Sequence, residues 1–286
     1  MTLNIAFQGI EGSYSHLACM NVFGESVSVL PCSSFMDAFS AVEEGRASHA
    51  MIPIENGTAG RVTDIHRILP NTKLTMVKEH FQPVEHCLLA AKGATMETIQ
   101  TAESHIQALM QSEINLRSWN LGMKERADTA LAARDIANSG DNTRAAVASK
   151  AAAKLYDLQI LKENIEDVKG NTTRFVIFTK EKNAPKYNED TRYVTSFLFE
   201  VKHIPAALYK ALGGFATNGI NMVRLESYMG QNFNNTHFYA EILGHTEQVN
   251  VARAFEELAF YSKDLKLLGI YEADKTRLSH KRGMNT

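Results

Sequence analysis

Four short stretches gather the polar side chains able to do chemistry. They are residues 9–16 (GIEGSYSH), 55–61 (ENGTAGR), 104–111 (SHIQALMQ) and 170–174 (GNTTR). Each stands where a strand-like run hands over to a helix-like one, or a turn to a strand. Open α/β sheets bind ligands in such crevices. Helix N-termini add free N–H groups and a positive dipole end, which favour anions. Several such loops meeting in one cleft suit a small acid with more than one charge. The last stretch is the sharpest case. Thr172, Thr173 and Arg174 run straight into the apolar Phe175, Val176, Ile177 and Phe178. A turn needs Gly170 and Asn171; it does not need two hydroxyls and a guanidinium.

Each stretch also has a plainer reading. GIEGSYSH carries neither a phosphate-loop nor a dinucleotide glycine pattern, so alone it is a turn plus a helix cap. Asn56 and Thr58 are good turn and cap residues. Ser104 with Gln107 fits a capping box, and no base is evident that would make Ser104 a nucleophile. NTTR alone reads equally as a turn or a site. The ten histidines are scattered; His80 and His86 flank a strand, His66 sits mid-helix, and none is assigned a role.

The elements around these stretches alternate. Strands are expected at residues 3–7, 27–30, 49–54, 73–78 and 84–90, with helices after 13, from a Ser34 cap to Gly45, and around 62–69. A second α/β group follows, with helices at 104–111, 127–137 and 149–158 and strands at 144–149 and 175–179. Alternation of this kind is the α/β pattern. Residues 181–190, charged and aperiodic with one proline, read as a linker. Beyond it the order is a strand (193–201), a helix started by Pro205, two strands (221–229 and 236–243) joined by GQNFNN, a helix around 251–259 and a strand (265–271). That is βαββαβ, a ferredoxin-like sandwich. The division expected is thus 1–180, linker 181–190, a second domain 191–273, and a basic tail 274–286 without structure.

Composition narrows the function. The 286 residues carry 30 basic and 32 acidic side chains, net charge −2, which argues against nucleic acid as a partner. No apolar run approaches the ~20 residues of a membrane span. The first residues enter a strand pattern at once, leaving no room for a signal peptide. Three widely spaced cysteines, Cys19, Cys32 and Cys87, suggest reduced thiols and a cytoplasmic location, with no zinc spacing.

Taken together and in order, GIEGSYSHLA, PIENGTAGRV, SHIQALMQ, YDLQILKENIEDVKGNTTRF and, after the linker, ALYKALGGFATNGINMVRLES resemble the prephenate dehydratases fused to a C-terminal ACT regulatory domain. The resemblance covers about residues 3–272. It implies a two-lobed, periplasmic-binding-protein-like α/β domain plus an ACT domain. The implied reaction takes prephenate to phenylpyruvate with loss of CO2 and water, in phenylalanine biosynthesis, with no cofactor and no metal. By matching motifs, Thr173 and Arg174 carry the catalytic positions, and Asn56, Ser104, Gln111, Thr172 and Phe175 the substrate-binding ones. Ile106 stands where the family has proline, and Ser112 where it has cysteine. The resemblance also implies L-phenylalanine as allosteric inhibitor and a homodimer or homotetramer through the ACT domains. Its effector positions fall on Ala207, Leu208, Asn218, Gly219, Ile220, Asn221, Glu226 and Ser227. Two family motifs are altered there: G-A-L is AAL (206–208) and E-S-R-P is ESYM (226–229). An arogenate dehydratase of the same chemistry, or a non-catalytic amino-acid sensor, are the competing readings.

Overall fold

This is a computed structural model describing residues 3–182, 184–229 and 236–279. In chain order the elements are β1 (Asn4–Gln8), α1 (Tyr14–Phe23), β2 (Ser28–Cys32), α2 (Phe35–Glu43), β3 (His49–Asn56), β4 (Gly60–Arg61), α3 (Ile65–Ile68) and β5 (Thr75–Pro83). A second set runs β6 (Cys87–Ala90), β7 (Thr101–Ser104), α4 (Ile106–Met110), α5 (Glu113–Ser118), β8 (Gly122–Glu125), α6 (Thr129–Ser139), β9 (Arg144–Ala148), α7 (Lys150–Leu155) and β10 (Gln159–Lys162). Then come β11 (Thr172–Thr179), β12 (Tyr193–Val201), α8 (Ala207–Thr217), β13 (Met222–Met229), β14 (Thr236–Leu243), α9 (Val249–Tyr261), β15 (Ser262–Glu272) and α10 (Lys275–Ser279). No helix among the described residues is long and apolar enough to cross a membrane.

By its contacts the chain forms two compact units, Met1–Val62 with His80–Phe175, and Thr63–Glu79 with Val176–Thr286. The first unit is two-lobed. One lobe is built on β2-β1-β3, with β4 on β3, and on the parts of β11 and β5 that fall in this unit, from a sheet of order β2-β1-β3-β11-β5. The other is built on the sheet β10-β6-β9-β7-β8. The chain crosses between these sheets twice, after β5 and after β10. β11 lies between β3 and β5, and Phe175 to Phe178 are all buried. A central strand covered on both faces requires such a continuous apolar run rather than alternation. β9 obeys the same rule with small residues. Ala145 and Val147 face one core cluster, Ala146 and Ala148 the other. Alanines at 132, 133, 152 and 153 let α6 and α7 lie close on that second face.

The second unit contains an antiparallel sheet of order β13-β14-β12-β15, the ferredoxin-like arrangement expected from the βαββαβ pattern. α8 and α9 cover one face around Phe197, Phe199, Phe215, Phe238, Ile242 and Leu258. The opposite face carries Ser196, Tyr239, Glu241 and Tyr271, all fully buried. Residues 63–79, read from the sequence as part of the first domain, group with this unit for visible reasons. The Lys266 ammonium donates to the carbonyls of Leu69, Pro70 and Thr72 at 3.1, 2.9 and 2.6 Å. A Cβ at position 269 would collide with the Met76 carbonyl, which only Gly269 admits.

Two expectations need correction. The tail is not structureless from 274: Asp274 caps α10 through Thr276 N at 2.7 Å, and Arg277 grips Glu79 with bonds of 2.9 and 2.8 Å and reaches Glu241 at 3.3 Å. Two buried carboxylates demand a cation, which is why the segment folds back. Pro205 does not open α8; Ala206 is its N-cap. Residues 181–190 have no helix or strand where described, but Tyr193 Oη donates to the Lys186 carbonyl (3.0 Å) and the His245 ring bonds the Pro185 carbonyl (2.8 Å). The GQNFNN turn and the end of the tail, 280–286, lie outside the described residues.

Candidate active site

β3 ends at Asn56 and turns back into β4, with Glu55 opposite Arg61 and Asn56 opposite Gly60. Inside this turn the Asn56 Oδ1 accepts the backbone N–H groups of Thr58 (3.0 Å) and Ala59 (2.8 Å). Asparagine closes turns this way. Two backbone donors leave no freedom in assigning its amide: oxygen faces the turn, nitrogen faces outward. The neighbouring strand β11 starts after Gly170, whose φ of +86° suits glycine. Gly57 N donates to the Thr172 carbonyl at 2.8 Å, fixing the two strand ends side by side.

The Asn56 amide nitrogen then donates to Asn171 Oδ1 (2.8 Å) and to Thr173 Oγ1 (2.9 Å). Asn171 Oδ1 is thereby fixed, so Asn171 Nδ2 donates to Gln111 Oε1 at 3.0 Å. The His86 Nε2 lies 3.0 Å from the same Gln111 oxygen, and His86 Nδ1 lies 3.0 Å from the Tyr14 hydroxyl. One anchored amide orients the whole chain. Its result at Thr173 is specific: the oxygen already accepts from Asn56, so the hydroxyl proton is left to donate elsewhere.

Asn56, Gln111 and Thr173 therefore come together, with Asn171 between them. Gln111 and Asn171 line a cavity of about 560 Å³, with Thr58 and Ala59 from the first lobe and Gln107, Met110 and Ile114 from the second. That volume suits a small-molecule site. Thr173 stands beyond Asn171, linked through Asn56, rather than in the cavity wall itself. The loop at residues 9–16 is held from the second lobe: Ser149 Oγ donates to the Gly12 carbonyl (3.0 Å) and Tyr156 Oη to the Glu11 carbonyl (2.7 Å).

The other expected residues sit differently. Successive strand side chains point to opposite faces, so Arg174, which is buried, lies across β11 from Thr173. Thr172 bonds the Gly170 carbonyl at 3.3 Å, and Phe175 is core. Ser104 is fully buried, its hydroxyl donating to the Val147 carbonyl at 2.6 Å. It is not the helix cap, because that place belongs to His105, whose Nδ1 accepts Gln107 N. In the second unit Ala207 is buried at the start of α8. Leu208 and Ile220 pack on the core cluster. Asn218 caps the end of α8, donating to the Gly214 carbonyl at 2.8 Å. Gly219 has φ +67°, the Asn221 carbonyl accepts Leu243 N, Glu226 accepts from Arg224 Nε at 2.7 Å, and Ser227 is exposed. Sequence reasoning missed Tyr14 and His86. Asn171 was visible within the GNTTR stretch but read as turn-forming only.

Residues 5–183 match the family model described as Prephenate dehydratase. The chain belongs to the prephenate dehydratase family. It is 43% identical to a bifunctional N-acyl-homoserine lactone acylase/prephenate dehydratase of Komagataeibacter europaeus, across 96% of this chain and 97% of that one. It is 34% identical to an arogenate dehydratase/prephenate dehydratase of Arabidopsis thaliana, across 96% of this chain and 73% of the relative. Among solved structures, the prephenate dehydratase of Arthrobacter aurescens in complex with L-Phe superposes with a TM-score of 0.87 at 25% identity, covering 95% of this chain and 90% of that one. A dehydratase of phenylalanine biosynthesis is thus the activity of the family, and its polar motifs converge here on one hydrogen-bonded cluster.

Proposed function

We propose that this enzyme converts prephenate to phenylpyruvate, with Thr173 at the departing hydroxyl. The observation that carries this is the Thr173 oxygen, which accepts from Asn56 and so has its proton to give. In the reaction the ring–carboxylate bond breaks and its electrons enter the ring. The ring C–O bond breaks, the hydroxyl takes one proton and leaves as water, and the ring becomes aromatic. A threonine hydroxyl is a weak acid. Thr173 acts by hydrogen-bonding the developing hydroxide while the proton itself arrives by relay. Gln111 offers its amide N–H groups to a substrate oxygen. Arg174 acts from the other face of β11, as the fixed charge that holds this strand end.

Phenylalanine is the proposed feedback inhibitor, supported by the L-Phe complex of the A. aurescens relative. It would act near Leu208, Asn218 to Asn221 and Glu226 to Ser227, shifting the population toward a less active arrangement. A homodimer or homotetramer through the C-terminal sheet fits β13 and β15, which are its edges.

A second reading has its own observation. Met110, Ile114 and Val168, each more than 60% exposed, form an apolar wall of the cavity beside Gln111. Such a wall suits an acyl chain, and the K. europaeus relative bears an acylase name.

One experiment tests the catalytic readings. The purified full chain is incubated with prephenate, with arogenate and with an N-acyl-homoserine lactone, and phenylpyruvate, phenylalanine and free fatty acid are followed. Phenylpyruvate from prephenate is expected, with kcat falling roughly 10²–10⁴-fold in Thr173→Ala and much less in Thr173→Ser. Product from arogenate alone would reassign the substrate. Equal rates in the alanine variant would remove Thr173 from the chemistry. Fatty acid release would support the second activity, and its absence would dismiss it.

A further inference from the structure

His86 takes no part in the reading above, yet it sits directly behind the site. It is 2% exposed and stands on the first crossing between the lobes. Its backbone N–H donates to Glu166 Oε2 at 3.0 Å, so the residue is anchored at its main chain as well as at its ring. The ring meets Tyr14 edge-on, with centroids 5.6 Å apart.

The protonation of the ring follows from its neighbours. Gln111 Oε1 already accepts from Asn171, whose amide is fixed through Asn56 by two backbone N–H groups. An acceptor oxygen 3.0 Å from His86 Nε2 requires a proton on that nitrogen. Burial holds the imidazolium below its ordinary range, opposed by the bond to Gln111 and by Glu166. In the neutral ring Nδ1 is then an acceptor, and the Tyr14 hydroxyl lies 3.0 Å from it. Tyr14 has a second acceptor within reach, the Glu85 carbonyl at 2.7 Å. One hydroxyl proton is thus shared between the carbonyl and the ring nitrogen, the carbonyl being the nearer.

We propose that His86, held in its Nε2–H form by the Gln111 oxygen, is a positioning residue that locks the Gln111 side chain with its amide nitrogen toward the cavity. A Gln111 amide turned by 180° would set its NH2 group against two N–H donors, from His86 and from Asn171, and lose both bonds. With the lock in place, the Gln111 nitrogen, which has no protein acceptor among the described residues, is the group presented to a substrate carboxylate or keto oxygen. Without it, only the Asn171 bond opposes the turn that would present the amide oxygen, which repels either. His86 itself touches no substrate.

This rests on the dehydratase reading, and its test separates the two. His86→Leu removes the donor, while His86→Gln keeps an amide N–H near the position of Nε2. His86→Leu is expected to raise KM for prephenate roughly 10–100-fold, the effect of one lost and one repelling contact, with a smaller change in kcat. His86→Gln is expected to stay within a few-fold of the parent. A merely structural role would lower Tm in both variants and leave KM alone. Independently of activity, nitrogen-15 NMR of histidine-labelled protein at neutral pH is expected to give His86 a protonated Nε2 and an unprotonated Nδ1, with Nε2–H retained in Tyr14→Phe. The opposite tautomer in the parent protein would overturn the proposal whether or not any substrate is turned over. So would an unchanged KM in His86→Leu. Absence of turnover by the parent protein with a correct tautomer would instead count against the dehydratase reading alone.

Discussion

Replacing Asn56 by aspartate changes one NH2 group to oxygen and almost nothing in shape, yet it should reverse the polarity of the site. One carboxylate oxygen keeps the place of Oδ1 and still accepts Thr58 N and Ala59 N, now as charge-assisted bonds. The hairpin at the end of β3 therefore survives. The other oxygen takes the place of Nδ2, which lies 2.8 Å from Asn171 Oδ1 and 2.9 Å from Thr173 Oγ1. Thr173 no longer receives a proton there. Its own hydroxyl turns to donate into the carboxylate, and the departing oxygen of the substrate loses it. Removing a positioned donor costs roughly 10²–10⁴ in rate, or about 2.7–5.5 kcal/mol of barrier. The new oxygen–oxygen contact with Asn171 costs roughly 1–3 kcal/mol of stability, partly offset by the stronger turn. Asn171 cannot relieve it by flipping without breaking its bond to Gln111.

The assay is kcat at saturating prephenate beside a thermal melt. Asn56→Asp should fold, lose two to four orders of magnitude in kcat, and regain part of it as pH falls and the new carboxyl becomes protonated, hence a donor again. Adding Thr173→Ala should cost little more, since both changes remove the same proton. A folded Asn56→Asp enzyme within threefold of the parent at neutral pH would refute the polarity argument. So would full additivity in the double variant.

Four further outcomes are expected. Ala206 holds φ +57° at the start of α8, where the family motif has glycine; Ala206→Gly should stabilise the C-terminal unit by about 0.5–1 kcal/mol in denaturant titration. Ser112 Oγ is fully buried with no hydrogen-bond partner among the described residues, so Ser112→Ala should raise stability by about 1 kcal/mol, and a loss of that size would show a partner. Arg277→Met leaves Glu79 and Glu241 buried without this cation and should destabilise the unit by roughly 3–5 kcal/mol. Burial lowers the titration of His16 and His86, and His16 Nδ1 accepts Gly12 N. The unfolded chain therefore binds more protons just below its ordinary histidine value near 6.5, and stability should fall as pH drops through about 6.5. His86→Gln should make that slope shallower in urea melts taken from pH 8 to 5.

What the sequence made legible follows from how locally each feature is determined. β11 was plain from Phe175 to Phe178, because a strand buried on both faces writes its apolarity continuously. α2 was plain because Ser34 caps it through Asp37 N. β7, β8 and β10 went unread: each has four residues, and GMKE in β8 is exposed throughout, so neither periodicity nor hydrophobicity marks it. Ser104 looked like a cap by spacing. Ser104 is instead the last residue of strand β7, so its hydroxyl faces the Val147 carbonyl and His105 takes the cap.

The site divides along the same line. Its polarity starts in ENGTAG, a turn whose Asn56 bonds are local and readable from residue types. It passes to Thr173 and Asn171 because β3 and β11 are neighbours, a matter of sheet order that no window of sequence carries. It ends at His86 and Tyr14, which are 72 residues apart and meet only because the chain crosses between its lobes. A scattered histidine has no local signature. What gives this one a role is the oxygen in front of it, whose orientation was decided two backbone N–H groups away in the first lobe.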